Sequence, residues 1–263
     1  MGATDISWLS LILGSMIMII PLWIFAYYKT GLVKPTVISF SRMALQLILV
    51  GIFLEYIFDL NSIYLNLGWV ALMVIAASFT VIKRSELNQR FFYIPVLLGI
   101  LTNIIINGFI VAFILVGTDD FFKARYIIPI MGMFIGNSLT ASIIGLRSFY
   151  QNLIKDEERL RYYLACGASN KEAILPFFRE ALKDALNPAI ASTATIGLIW
   201  LPGMMTGQIL GGSDPITSIK YQIMIIIGIF AGSVISSFVN LILSQKFSLN
   251  AFGTLNKNVF LKN

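Results

Sequence analysis

The sequence predicts an all-α, polytopic membrane protein with seven transmembrane spans in a single transmembrane domain, residues 1–263. Three observations lead to this fold class: long apolar runs, a very hydrophobic composition, and a one-sided distribution of Lys and Arg. Hydrophobic residues make up 57% of the chain, charged residues 12%, and the mean hydropathy is +0.83. Soluble domains carry roughly 25% charged residues, so the lipid bilayer is the expected solvent of this chain.

Six charge-free runs are long enough to cross the bilayer, because about 20 helical residues cover ~30 Å of hydrocarbon. The second of the seven spans is weaker, since Arg42 and Glu55 limit its charge-free part to residues 43–54. A signal peptide starts with a positively charged region, whereas no Lys or Arg precedes the first run. This run is therefore expected to stay in the mature protein as a span. The six runs are residues 8–28, 60–82, 91–118, 126–146, 185–213 and 221–245.

The basic residues predict the orientation. If the loop after the first span is cytoplasmic, the four polar segments on that side of the membrane hold sixteen of the nineteen Lys and Arg residues. The opposite side then holds only Lys123, Arg125 and Lys220. Positive charge is retained on the cytoplasmic side of helical membrane proteins. We therefore expect a multi-pass protein of the cell membrane with its N-terminus out and its C-terminus in. The net charge of +6 suits an anionic lipid leaflet and does not indicate nucleic acid.

Residues 147–187 predict a cytoplasmic helical segment between spans 5 and 6. Apolar residues recur at helical spacing from Ile174 to Leu186, with charged residues on the opposite face. Ser169, with Glu172 three positions later, is a capping-box pattern that marks the start of this helix. The residues before the helix are mostly small and suit a sharp turn; they are Leu164, Ala165, Cys166, Gly167, Ala168 and Ser169.

Two interpretations of this segment remain open at this point. The amphipathic helix could lie on the membrane surface, which would explain its periodicity alone. Alternatively, two short helices around a small-residue turn form a compact knob that can enter a groove on a cytoplasmic partner.

The run LACGASNKEAILPFFREAL, residues 164–182, resembles the coupling loop of ABC-transporter permeases. The family's glycine corresponds to Gly167, and its Leu-Pro pair corresponds to Leu175 and Pro176. Arg161 stands where the importer version has glutamate, and the spacing from glycine to proline is shorter. The resemblance implies that residues 164–169 dock on a cytoplasmic ABC ATPase subunit, and the departures argue against an ordinary importer.

The run GLIWLPGMMTGQILGGSDPITSIKYQIMI, residues 197–225, resembles the FetB-type permeases. These are bacterial membrane proteins linked to iron export, with plant relatives linked to aluminium tolerance. The resemblance implies the membrane subunit of an exporter for iron or another metal, paired with a second copy of itself and driven by a separate ATPase. An organic or nucleotide-sugar cargo is the alternative.

The sixth predicted span contains Pro202-Gly203, which should break its helix, because proline removes a backbone hydrogen bond and glycine loosens the next turn. Broken helices in transporters line translocation paths. We expect Pro202, Gly203, Thr206 and Gln208 to form a gating or translocation element.

Three residues are candidates for contact with a metal. Met204 and Met205 carry thioethers suited to soft or borderline metals, although methionine in a membrane helix more often fills packing gaps. Glu55 is the one carboxylate expected within a span, and its alternative is a solvated position at the outer interface.

Polar and small residues within the spans also allow two interpretations. Asn103 and Asn107 could line a polar path or bond to neighbouring helices. Small-residue stripes at four-residue spacing allow close helix approach, either within the subunit or at a dimer seam; they start at Gly132, Gly203 and Gly228.

Several function classes are disfavoured. The chain lacks the G-x-x-x-x-G-K-[ST] loop, so ATP must be bound by a partner subunit, and no cofactor is expected in this chain. It has no histidine, which excludes Ser-His catalysis and H-E-x-x-H zinc chemistry. One cysteine excludes an internal disulfide. A secondary carrier that works without an ATPase stays open, although such proteins typically show internal repeats or several buried ionisable groups.

Overall fold

The computed structural model describes residues 6–248 together with Leu255 and Val259. Within these residues the regular elements are helices, and β contacts occur only as isolated bridges such as the one between Ile196 and Trp200. The predicted all-α fold is therefore confirmed for the described part of the chain. The C-terminal cations Lys257 and Lys262, which entered the orientation argument, lie outside it.

Eleven α-helices follow one another in the described residues. A 3₁₀ turn, Met16–Met18, joins the first two, and a π-helical turn, Val111–Val116, extends the fifth. The helices are α1 (Trp8–Ser15), α2 (Ile19–Tyr27), α3 (Val33–Leu60), α4 (Ile63–Arg84), α5 (Gln89–Ile110), α6 (Thr118–Phe121), α7 (Ala124–Lys155), α8 (Glu157–Ala165), α9 (Asn170–Thr195), α10 (Gly203–Leu210) and α11 (Pro215–Ser248).

Six helical stretches are long and apolar enough to cross a membrane. They are Trp8–Tyr27, Val33–Leu60, Ile63–Arg84, Gln89–Ile114, Ala124–Lys155 and Pro215–Ser248. They coincide with six of the seven predicted spans, so the chain is a multi-pass membrane protein. The other predicted span, residues 185–213, is not one continuous helix, because it is divided between the end of α9, an irregular segment and α10.

The long helices α4, α5, α7, α9 and α11 pack into one bundle. We call one end of this bundle the basic end; it holds the α4–α5 turn, the end of α7, α8 and the end of α11. Arg147 Nη2 lies 3.2 Å from Glu86 Oε1 there, and the buried Tyr150 hydroxyl lies 2.7 Å from Ser248 Oγ. The opposite end holds the start of α7, where Asn61 Oδ1 accepts a hydrogen bond from the backbone N–H of Ala124 at 3.1 Å.

Small residues let α11 approach α5 and α7 closely. A Cβ at Gly228 would lie 2.7 Å from Phe134 Cε1, and a Cβ at Gly232 would overlap the Asn103 amide. The Gly228 stripe therefore serves packing within the subunit. The stripe that begins at Gly203 does not, because an added Cβ at Gly203 or Gly207 meets no described atom within 4 Å.

The two asparagines of α5 bond to neighbouring groups and do not line a path. Asn107 Nδ2 donates to Asn103 Oδ1 at 2.7 Å, and Asn103 Nδ2 donates to the Phe134 carbonyl at 3.5 Å. Both asparagines are buried. Paired amides of this kind satisfy polar groups that would otherwise be costly in hydrocarbon.

The predicted cytoplasmic segment, residues 147–187, is almost wholly helical. The helix of span 5 continues to Lys155, and α9 has no boundary at residue 187, since it runs on through Pro188 to Thr195. The apolar face of α9 carries Ala173, Phe177 and Ala181, which are buried within the protein. Because the chain itself covers this face, the membrane-surface interpretation of this helix is wrong.

Candidate translocation cavity and coupling turn

The irregular segment between α9 and α10 breaks the predicted sixth span over residues 196–202. Gly197 adopts a φ of +87°, a left-handed conformation that side chains with a Cβ rarely adopt. Pro202 follows in an extended conformation, with φ −61° and ψ 142°, and caps α10. The break is therefore longer than the predicted Pro202-Gly203 step, and it includes Gly197 near its start.

The break opens onto a cavity of about 390 Å³. Side chains of α7, α9 and α11 form its walls, together with Trp200 and the first turn of α10. The Trp200 indole N–H donates to Thr195 Oγ1 at 3.2 Å, which holds the ring across the break. We call this space the inner cavity.

A second cavity of about 220 Å³ lies nearer the opposite end of the bundle. We call it the outer cavity; Arg125, Tyr126, Gln208 and Tyr221 are among its lining residues. Met204 lines both cavities. The flexible Met204 side chain therefore lies between the inner and the outer cavity.

The structure brings most of the predicted translocation residues to these cavities. Pro202, Gly203 and Met204 line the inner one, and Gln208 lines the outer one. Thr206 is half-buried and donates from Oγ1 to the Pro202 carbonyl at 3.2 Å, so its hydroxyl proton is used within α10.

The other two candidate metal-contacting residues lie elsewhere. Met205 is buried, with 8% of its surface exposed, and lines neither cavity. Glu55 is exposed on α3 and also lines neither. In the described part of the chain, no three Asp, Glu, Cys or His residues form a group that could hold a metal ion.

Sequence reasoning missed Gln222, which lines the inner cavity from α11. Only 7% of this residue is exposed, and its Oε1 has no hydrogen-bond partner among the described residues. A glutamine within a span was a usable signal, because unpaired polar groups in a membrane are costly and often functional.

The predicted coupling turn joins α8 to α9 at the basic end. Gly167 has a φ of +89°, and Cys166 and Gly167 are exposed. The Gly167 N–H donates to the Leu164 carbonyl and the Ala168 N–H donates to the Tyr163 carbonyl, each at 3.1 Å. This pair of bonds is a Schellman motif, which ends α8 within one turn.

A capping box then starts α9, as the sequence predicted. The Ser169 side chain accepts from the Glu172 N–H, and the Ser169 N–H donates to Glu172 Oε2 at 2.8 Å. Hydrogen bonds from the Ser169 hydroxyl and backbone lower the pKa of Glu172 below its ordinary value. Two adjacent caps hold the exposed turn in one shape, which a docking element requires.

Sequence similarity covers nearly the whole of this structure. The Uncharacterised protein family (UPF0014) matches residues 8–248, which include both cavities and the coupling turn. The chain belongs to the UPF0014 family. No solved structure matches it.

Three relatives illustrate the range of UPF0014. The chain is 32% identical over 229 residues to UPF0014 membrane protein YjkA of Bacillus subtilis, covering 87% of this chain and 90% of that protein. It is 32% identical over 228 residues to the probable iron export permease protein FetB of Escherichia coli, covering 86% and 85%. It is 34% identical over 204 residues to the protein ALUMINUM SENSITIVE 3 of Arabidopsis thaliana, covering 76% and 71%.

Proposed function

We propose that this UPF0014 chain is the membrane-spanning permease subunit of an ABC transporter that exports iron or another metal. A separate cytoplasmic ATPase supplies the energy, and this chain performs transport and no chemical reaction. The printed name of the FetB relative supports the cargo and the direction. The geometry of α9 supports the coupling.

The observation that carries the proposal is that one helix connects the coupling turn with the inner cavity. Helix α9 starts at the Ser169 cap and ends at Thr195, beside the break. Its 26 residues span about 39 Å at ~1.5 Å per residue. A movement of the turn is therefore transmitted along a packed helix to the cavity wall and to Trp200.

The same helix supports the proposed seven-span topology. Since α7 ends at the basic end and α11 begins at the opposite end, the chain between them must pass from one end to the other. It does so through α9, the break and α10, which together form the sixth of the seven proposed traversals. With the basic end in the cytoplasm, the N-terminus lies outside and the coupling turn faces the ATPase.

We further propose that two copies of the chain form the transporter with two ATPase subunits. The inner cavity has one wall made of the break, where Leu198 and Ile199 are 91% and 78% exposed. A second copy placed against this wall would enclose a shared path between two cavities, as expected for a two-fold assembly. Membrane lipid would cover the outward faces of α1–α3.

The test is ATP-dependent metal efflux from proteoliposomes that contain the permease and its co-expressed ATPase. Iron, manganese and cobalt salts would be compared in the presence of ATP and of a non-hydrolysable ATP analogue. We expect efflux only with hydrolysable ATP. Efflux that is driven equally well by an ion gradient without ATPase would instead indicate a secondary carrier.

An organic or nucleotide-sugar cargo is the second candidate, and one observation favours it. No acidic side chain is present among the described residues that line the inner cavity. The same assay with nucleotide sugars in place of metals decides between the two candidates.

A further inference from the structure

The polar side chains that line the inner cavity present mainly hydrogen-bond acceptors. Ser192 and Thr193 both donate their hydroxyl protons to the Ala189 carbonyl, at 3.0 and 2.8 Å. Asn137 directs its amide nitrogen to the Met133 carbonyl at 2.8 Å, which leaves its Oδ1 to accept. All three residues line the cavity, and a hydroxyl whose proton is used offers only its lone pairs. A ligand in this cavity therefore meets oxygen lone pairs.

Gln222 adds an acceptor that has no partner. This residue of α11 lines the same cavity and is more than nine-tenths buried, and its Oε1 accepts no hydrogen bond from any described residue. A buried acceptor without a partner costs free energy unless a ligand satisfies it. Because an amide oxygen only accepts hydrogen bonds, the ligand that satisfies it must be a hydrogen-bond donor or a cation.

The two helix ends at the break do not decide the sign of the ligand's charge. The C-terminus of α9 acts as roughly half a negative charge and the N-terminus of α10 as roughly half a positive one. Both ends contribute lining residues to the inner cavity, so their fields oppose each other there. No Lys, Arg, Asp or Glu is present among the described lining residues. The side-chain oxygens therefore decide, and their lone pairs attract cations and repel anions.

The inner cavity is large enough for an ion that keeps its water shell. One water molecule takes ~30 Å³ in the liquid, so an ion with six waters needs roughly 200 Å³. The cavity offers about 390 Å³. Small divalent ions such as Mg²⁺ give up their water reluctantly, and the bound waters point their protons outward. A hydrated ion thus carries the donors that the oxygens of this cavity require.

We propose that the inner cavity binds a metal cation together with its water shell, through hydrogen bonds from the bound waters to side-chain oxygens of Asn137, Thr193 and Gln222. This inference rests on the proposed function and specifies the form in which the cargo is recognised. Because no carboxylate contributes, binding is weak and reversible, which suits a transporter that must release its cargo. Organic ammonium ions share this donor chemistry and are the competing source.

The outer cavity is less suited to hold the cation. Arg125 lines the outer cavity and not the inner one, and Met204 lies between the two. No acidic side chain is present among the described residues that line the outer cavity, so nothing there offsets the positive charge of Arg125. The cation is therefore held on the inner side of Met204.

Equilibrium binding to the purified full-length permease in phosphatidylcholine nanodiscs tests this inference. The probes are radiolabelled manganese ion, hexaamminecobalt(III), methylammonium and inorganic phosphate. Hexaamminecobalt(III) does not exchange its ligands, so a protein can hold it only by its charge and by accepting hydrogen bonds from its ammines. We expect manganese ion to bind and hexaamminecobalt(III) to displace it, whereas methylammonium and phosphate do not.

Two substitutions of Gln222 separate the acceptor from the charge. Gln222→Met removes the acceptor at similar size and should weaken the binding of both metal probes roughly threefold to tenfold, the effect of one lost hydrogen bond. Gln222→Glu adds a negative charge at the same size and should strengthen the binding of both. Gln89→Glu is the matched control, because it adds the same charge at an exposed position at the start of α5 and should leave binding unchanged.

A pair of threonines tests the cavity wall independently. Thr193→Val removes an acceptor oxygen from the inner cavity and should weaken the binding of manganese ion. Thr80→Val is its control, because the Thr80 hydroxyl makes the same bond, to the Ala76 carbonyl at 2.8 Å, and lines neither cavity. Equal melting temperatures of the two variants would show that the difference in binding does not come from folding.

Four results would overturn the inference. Phosphate binding that is lost in Gln222→Glu would make the cavity an anion site, and displacement of manganese by methylammonium would make it an ammonium site. Manganese binding that hexaamminecobalt(III) does not displace would mean direct coordination by protein atoms. No manganese binding, or binding unchanged in both Gln222→Met and Thr193→Val, would place the cation elsewhere. All of these leave ATP-driven export intact, which fails separately if efflux from proteoliposomes does not require hydrolysable ATP.

Discussion

Gly145 of α7 lies against Ala185 of α9, where a Cβ added to the glycine would be 3.2 Å from the Ala185 Cβ. Close by, the Ser148 hydroxyl of α7 donates to Asp184 Oδ2, on the residue before Ala185, at 2.5 Å. These contacts fix α9 to the bundle about midway between the coupling turn and the break. In the proposed coupling mechanism, a displacement of the turn would reach the cavity past these contacts.

Enlarging Gly145 should separate α9 from α7. Gly145→Leu introduces a side chain where even one methyl group is crowded, and overpacking of this kind costs about 1–3 kcal/mol. The melting temperature in detergent should fall. Gly136→Leu is the matched control, because Gly136 lies on the same helix and an added Cβ meets no described atom within 4 Å. Equal melting temperatures for the two variants would contradict close packing at Gly145.

Docking of the ATPase should depend on the conformation of Gly167. Gly167→Val places a β-branched residue at positive φ, a conformation costing roughly 1–2 kcal/mol for residues other than glycine, and should reduce ATPase co-purification and transport. Gly167→Asn should retain more of both, because asparagine tolerates this conformation. Normal co-purification and transport in the valine variant would exclude the turn as the docking site.

A charged residue beside the glycine should also uncouple the partner. Ala168→Arg keeps the backbone bonds of the Schellman motif but adds a long cation to the knob. We expect normal membrane insertion with less bound ATPase. Pull-down of the ATPase at unchanged yield would place the docking surface elsewhere.

Topology should follow the distribution of basic residues. Reporters fused after Ile63 or near Ser213 should be active outside, and those after Gln89 or Asn263 should be active in the cytoplasm. The decisive fusion is at Asn170, beside the coupling turn. An external reporter there would rule out ATPase docking, because ATP is cytoplasmic.

The two methionines of α10 should differ in their effect on transport. Met204→Leu removes the thioether that lies between the two cavities, whereas Met205→Leu changes a buried residue that lines neither. Both substitutions keep volume and apolarity. If the sulfur contacts cargo, only the first should reduce metal-stimulated efflux. Equal efflux in both variants would limit Met204 to packing.

The coupling turn could be predicted well from sequence because its determinants are local. A glycine at positive φ and a Ser–Glu capping box act within five residues of each other, so the pattern and the structure agree. The candidate site was less predictable. Glu55 is a carboxylate within a predicted span, but it is exposed on α3 and lines neither cavity.

The sequence by itself determined that this chain is an all-α, multi-pass membrane protein, because long apolar runs require the bilayer and backbone groups in lipid require helices. It also indicated the FetB-type permeases through one dense run of residues, 197–225. Only the tertiary structure decided that α9 is one continuous helix from the coupling turn to the inner cavity. It also decided that Gln222 lines the same cavity as Met204 and the residues of the break. Those facts depend on contacts between residues far apart in the chain, which local spacing does not encode.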